Sequence, residues 1–86
     1  MNITEVRIHP INAMGNTRAF ASVTIDDALV IHDMRIVNGR NGLFVSMPSK
    51  KVGDKYFDIS HPITAVAREN LFKAVLQEYH ESVVTV

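Results

Sequence analysis

Apolar and polar residues alternate from the start of the chain. Val6 and Ile8 are interleaved with Glu5, Arg7 and His9, the period of two that turns one face of a β-strand to a core and the other to water. Turn formers crowd between Pro10 and Arg18, with Gly15-Asn16 at the expected tip. The alternation resumes over Ala19–Ile25, which sets Ala19, Ala21, Val23 and Ile25 on one face. Asp26-Asp27 then supplies a short turn, so the second and third strands are expected to form a hairpin.

The third strand, Leu29–Val37, has a different pattern. Val30, Met34 and Ile36 fall on one face with His32, while Leu29, Ile31 and Val37 fall on the other with Asp33 and Arg35. A strand apolar on both faces is usually central and covered on both sides. One helix covers only one side, so a partner subunit is expected over the second. Residues 38–42, NGRNG, read as a tight turn, because Asn and Gly tolerate the positive φ that short hairpins need. Leu43–Met47 follows as a fourth strand, ended by Pro48, which has no N–H for a ladder. Lys50 to Lys55 reads as a charged loop with Gly53-Asp54 at its tip, and Tyr56–Ile59 as a brief fifth strand.

His61-Pro62 marks the change from strand to helix, with Thr64 as first choice for the N-cap and Ser60 as second. From Ala65 to about Glu81 the period becomes helical. Ala67, Leu71, Ala74, Val75 and Glu78 lie near one stripe, widened by Phe72, Leu76 and Tyr79, and Arg68, Glu69, Lys73, Gln77 and His80 lie opposite. The tail Ser82–Val86 has the composition of a strand. Together these elements predict an α+β fold: an antiparallel β-sheet of about five strands with a C-terminal amphipathic helix packed on one face, as a dimer.

Length and composition sharpen this picture. Eighty-six residues make one domain, 1–86. Such a chain buries only about 60–65% of its unfolded surface. An apolar content of 47% is high for that size, and oligomerisation is the expected stabiliser. Without cysteine, disulfides and thiolate metal sites are ruled out. No apolar run approaches the ~18 residues of a membrane span, and MNITEVRIHP lacks the apolar region of a signal peptide, so a cytoplasmic protein is expected.

Net charge is zero, but it is unevenly spread. Residues 35–55 hold Arg35, Arg40, Lys50, Lys51 and Lys55 against Asp54 alone, a local balance of +4, while residues 1–34 and 56–86 each sum to −2. A concentrated positive lobe is the footprint of polyanion binding.

Other chemistry finds weaker support. His9, His32, His61 and His80 lack the i, i+4 spacing that puts two imidazoles on one helical face, so no metal is expected. Ser46, Ser49 and Ser60 lie in no Gly-x-Ser-x-Gly elbow. Asp58 with His61 reads better as a strand end and a turn than as an acid–base pair. The Gly39–Gly42 turn has neither Walker spacing nor a following helix, though Arg40 at its tip can reach a phosphate. An enzyme is therefore not expected, nor a cofactor or a small-molecule substrate.

The runs HDMR (32–35), GRNGLFVSMPSKK (39–51) and DISHPI (58–63) resemble the SpoVG family, stage V sporulation protein G. The resemblance extends from about Val6 to Tyr79 and departs from the family at Met14-Gly15-Asn16, where Asp-Gly-Arg is frequent. It implies a small bacterial dimer that binds DNA and, in some members, RNA, and that regulates sporulation and asymmetric septation. The family's basic pair after Met-Pro-Ser falls on Lys50 and Lys51.

Two readings follow. The first is a homodimeric nucleic-acid-binding regulator that grips phosphates through Lys50, Lys51, Arg40, Lys55, Arg35 and Arg68. No aromatic ladder is visible along the chain, which makes stacking on single strands the weaker mode. The second is a protein-interaction module of the division machinery that uses its apolar faces and binds no nucleic acid.

Overall fold

The computed structural model describes residues 1–11 and 15–84. Strands β1 (Ile3–Pro10), β2 (Thr17–Ile25), β3 (Leu29–Gly39) and β4 (Gly42–Ser46) form an antiparallel sheet in the order β1-β2-β3-β4. β5 (Ser49–Val52) and β6 (Lys55–Asp58) pair only with each other, and helix α1 (Ala65–Val84) follows. The α+β class stands, with six strands divided four and two among the described residues instead of about five in one sheet. Of the turn expected between Pro10 and Arg18, residues 12–14 lie outside the described residues, and Gly15-Asn16 forms a bend.

The helix covers one sheet face. Ala19, Ala21 and Val23 of β2, Met34 and Ile36 of β3, Val45 of β4 and Leu71 and Val75 of α1 are buried together, with Met47 beside them. Val6, Ile8, Phe72, Leu76 and Tyr79 close the margin of this core. The helical stripe is as its period predicts, with Arg68, Glu69, Lys73, Gln77 and His80 exposed. Thr64 is the N-cap: its Oγ1 accepts from the Ala67 N–H at 3.1 Å, and its carbonyl accepts from the Arg68 N–H. The helix runs beyond Glu81, and residues 82–84 of the supposed strand-like tail are helical.

Both tight turns obey local chemistry. Asp26 and Asp27 take φ of 54° and 52°, and the Ala28 N–H donates to the Ile25 carbonyl, so the chain reverses within the three residues 26–28 that separate the paired Ile25 and Leu29. In the NGRNG segment Gly39 pairs with Gly42, so the turn itself is only Arg40-Asn41.

The third strand needs a correction. Val23 pairs with Ile31 and Ala21 with Met34, so His32 and Asp33 together oppose the single Ser22. This is a β-bulge, and Asp33 adopts the left-handed conformation with φ 61°. An extra residue reverses the alternation. Leu29 and Ile31 therefore share the helix-facing side with Met34 and Ile36, while Val30 joins Arg35 and Val37 on the opposite side. Most of the apolar residues read as lying on two faces form one helix-facing set, shifted by one residue at the bulge, with Val30 and Val37 left on the other side.

The segment read as a charged loop is also different. Lys50 pairs with Phe57, Lys51 with Tyr56 and Val52 with Lys55, leaving only Gly53-Asp54 as the turn. Every residue from Lys50 to Asp58 is exposed, so the strand pair is an arm standing off the main sheet. Its reach shows in a radius of gyration of 13.0 Å, against about 12 Å for a compact chain of this length.

Candidate nucleic-acid interface

The arm is built by Pro48. It ends the β4 ladder, is itself buried, and its carbonyl accepts from the Ile59 N–H at 2.7 Å, which ties both roots of the arm together. Outward from this clamp the two strands are short and ordinary, and their side chains alternate between two faces.

That alternation divides the basic pair. Lys50 and Lys51 are adjacent in sequence, so they point to opposite faces of the ribbon. Register puts Lys50, Val52, Lys55 and Phe57 on one face and Ser49, Lys51, Tyr56 and Asp58 on the other. The two cations that share a face are Lys50 and Lys55. Lys51 instead has its ammonium 6.0 Å from the centre of the Tyr56 ring, a cation–π contact on the far side. Tyr56 and Phe57 are exposed, so aromatic surface accompanies the lysines on both faces.

The other basic residues are distributed over different elements. Arg40 sits at the tip of the β3–β4 turn. Arg35 lies in the middle of β3, half-buried, between Phe20 of β2 and Ser46 of β4. Arg68, in the first turn of α1, lines a cleft of about 300 Å³ with Ser46, Asp58, His61 and Phe72. Asp58 and His61 share that cleft without a hydrogen bond to each other, and His61 Nδ1 lies 3.2 Å from the Pro62 carbonyl. The basic middle of the sequence is thus spread over three kinds of element: an arm, a turn and a sheet position.

A larger groove of about 610 Å³ runs beside the first half of β3, lined by Leu29, Val30, Met47, Pro48, Ile59 and Ile63 among others. Ile63 is 88% exposed in it. Pairing of β4 stops at Arg35–Ser46, so Leu29–Met34 has a strand neighbour only on its β2 side among the described residues. Sequence reasoning missed this edge because a bulge cannot be seen in an alternation that it reverses.

These features define a small α+β domain that presents lysines and aromatics on a two-stranded arm and leaves one strand edge and an apolar groove open. The chain belongs to the SpoVG family, whose model matches residues 1–81. It is 51% identical over 82 residues to a protein of Finegoldia magna, covering 94% of this chain and 76% of the relative. It is 49% identical to one of Clostridium perfringens, covering 94% and 91%, and 47% identical to one of Geobacillus thermodenitrificans, covering 93% and 84%. Each of these relatives bears the name "Putative septation protein SpoVG". No helix of the described residues is long and apolar enough to cross a membrane.

Proposed function

We propose that this protein is a nucleic-acid-binding regulator of septation and sporulation that works as a homodimer. The naming of its relatives supports the cellular role, and the arm supports the chemistry. A two-stranded ribbon is slim enough to enter a major groove or follow a phosphate backbone, and Lys50 and Lys55 stand together on one face of this one. Phosphate contacts of this kind release counterions, so affinity falls steeply with salt.

The test is a salt titration of binding to duplex DNA. Replacing Lys50 and Lys55 by Ala in both subunits should lower the log–log slope by up to ~3–4. Affinity should fall for every sequence alike, because phosphates carry no base information. Lys51→Ala should do less, since that ammonium faces Tyr56 on the other side. A folded Lys50/Lys55 variant with unchanged affinity and slope sinks the assignment.

The open edge of β3 and the groove beside it support the dimer. Two copies related by a twofold axis can pair Leu29–Met34 edge to edge and bury Leu29, Ile59 and Ile63 against each other, which hides both unpaired backbone and apolar surface. Sedimentation across a wide concentration range should show a dimer throughout, and Val30→Pro at that edge should weaken it. A stable monomer at micromolar concentration overturns the proposal. The groove also favours a second reading, a protein-interaction module without nucleic-acid binding, whose partner binding would be insensitive to salt.

A further inference from the structure

The sheet face turned away from the helix has its own chemistry. Register aligns His9, Phe20, Arg35 and Ser46 in one row across all four strands. One step along, Val37 and Phe44 form the next pair on the same face. Phe20 is 37% exposed and Phe44 49% exposed, although both sit within regular strands. Arg35 lies between them, half-buried, and makes no ion pair or side-chain hydrogen bond among the described residues. Of the nearby carboxylates, Glu5 is held by Arg7 at 2.9 Å, while Asp33, two residues away in β3, and Asp58, in a cleft with Phe44 and Ser46, make no ion pair with Arg35 among the described residues.

Each part of this arrangement asks for a definite partner group. A partly desolvated guanidinium without a carboxylate has an unmet demand for an anion, and phosphate fits its planar fork. Exposed rings on a pleated surface offer stacking faces. Phe20 and Phe44 are two strands apart, ~10 Å across the sheet, which leaves room for a phosphate between two stacked bases. A protein partner is less well served, because hydroxyl, imidazole and guanidinium groups interrupt the apolar surface. Duplex nucleic acid is excluded by its own stacking, since its base faces are already covered. Exposed aromatics on a four-stranded antiparallel sheet are a general solution for holding unpaired bases.

We propose that this open sheet face binds single-stranded nucleic acid, with one base stacked on Phe20, another on Phe44 and the intervening phosphate on Arg35. The inference rests on the nucleic-acid reading above and adds to it a second surface with a different specificity: the arm for duplex phosphates, the sheet for unpaired bases. Gly39 supports the site, because its missing Cβ is what lets the Phe44 ring lie against the strand.

The test uses the full chain and fluorescently labelled oligonucleotides of about ten residues: a single-stranded RNA, the DNA of the same sequence, and the corresponding DNA duplex. Phe20→Leu with Phe44→Leu keeps apolar bulk and removes the ring faces. It should weaken binding of both single strands by about tenfold or more while leaving the duplex unchanged. Arg35→Gln, which keeps both rings, should weaken the single strands as well. Lys50→Ala with Lys55→Ala should show the reverse preference and mainly affect the duplex. Single-strand binding that survives the Leu pair but is lost in the lysine variant sinks this inference and leaves the arm standing. Wild-type protein that binds none of the three probes overturns both. A dimer that dissociates on the Leu changes assigns the face to a second copy and overturns the inference as well.

Discussion

Phe44 lies so close to Gly39 that a Cβ on the glycine would meet the ring at 2.7 Å. The two are diagonal neighbours on the β3–β4 hairpin, where Val37 pairs with Phe44 and Gly39 with Gly42. An aromatic ring over a strand glycine replaces the side-chain packing that the glycine lacks. Gly39→Ala should push the ring outward. Because the ring is half in solvent and alanine stiffens the unfolded chain, stability should stay within about 1 kcal/mol of wild type. The NMR resonances of the Phe44 ring should shift strongly, and single-strand affinity should fall with them. Ring resonances that do not move would place Phe44 elsewhere.

Asp33 carries the left-handed conformation of the β3 bulge. Glycine adopts that conformation freely, and a β-branched residue does so at a cost of about 1–2 kcal/mol. Asp33→Gly should therefore be close to neutral in a denaturant titration, and Asp33→Val clearly destabilising. Equal effects from the two changes would mean that the bulge is not strained in solution.

Leu71 is 2% exposed at the centre of the helix–sheet core, while Gln77 on the same helix is exposed. Leu71→Ala should cost about 2–5 kcal/mol through lost burial and the cavity left behind. Gln77→Ala should change stability by less than about 0.5 kcal/mol. Thermal and chemical unfolding measure both, and similar small values would show that another face of the helix is buried.

Thr64 and Ser60 compete in sequence for the start of the helix, and only Thr64 makes the capping bond among the described residues. Thr64→Ala should cost about 1 kcal/mol and Thr64→Ser much less. Ser60→Ala should leave the melting temperature unchanged. A larger loss from Ser60 than from Thr64 would move the cap.

Much of this architecture is local, and local patterns are readable in a chain. The period of two at Val6–Ile8 and Ala19–Ile25, the longer helical period from Ala67 to Tyr79, the Asp26-Asp27 and Asn-Gly turns, the stop at Pro48 and the cap at Thr64 each follow from a few neighbouring residues. The α+β class and the buried helix stripe come from the same signals, because burial of one face imposes its period on the residues that supply it.

Tertiary structure decided the rest. One extra residue at His32-Asp33 moves every later side chain of β3 to the other face, and only the pairing with β2 shows where that residue lies. β5 and β6 are wet on both sides, so no burial pattern distinguishes them from a charged loop. Their cross-strand register, not their sequence spacing, separates Lys50 from Lys51 and unites Lys50 with Lys55. Phe20, Arg35 and Phe44 are far apart along the chain, and they share a surface because antiparallel pairing aligns three strands. A sequence determines which residues prefer to be buried and where the chain turns. Which exposed residues become neighbours is a property of strand order and register, and those exist only once the chain has folded.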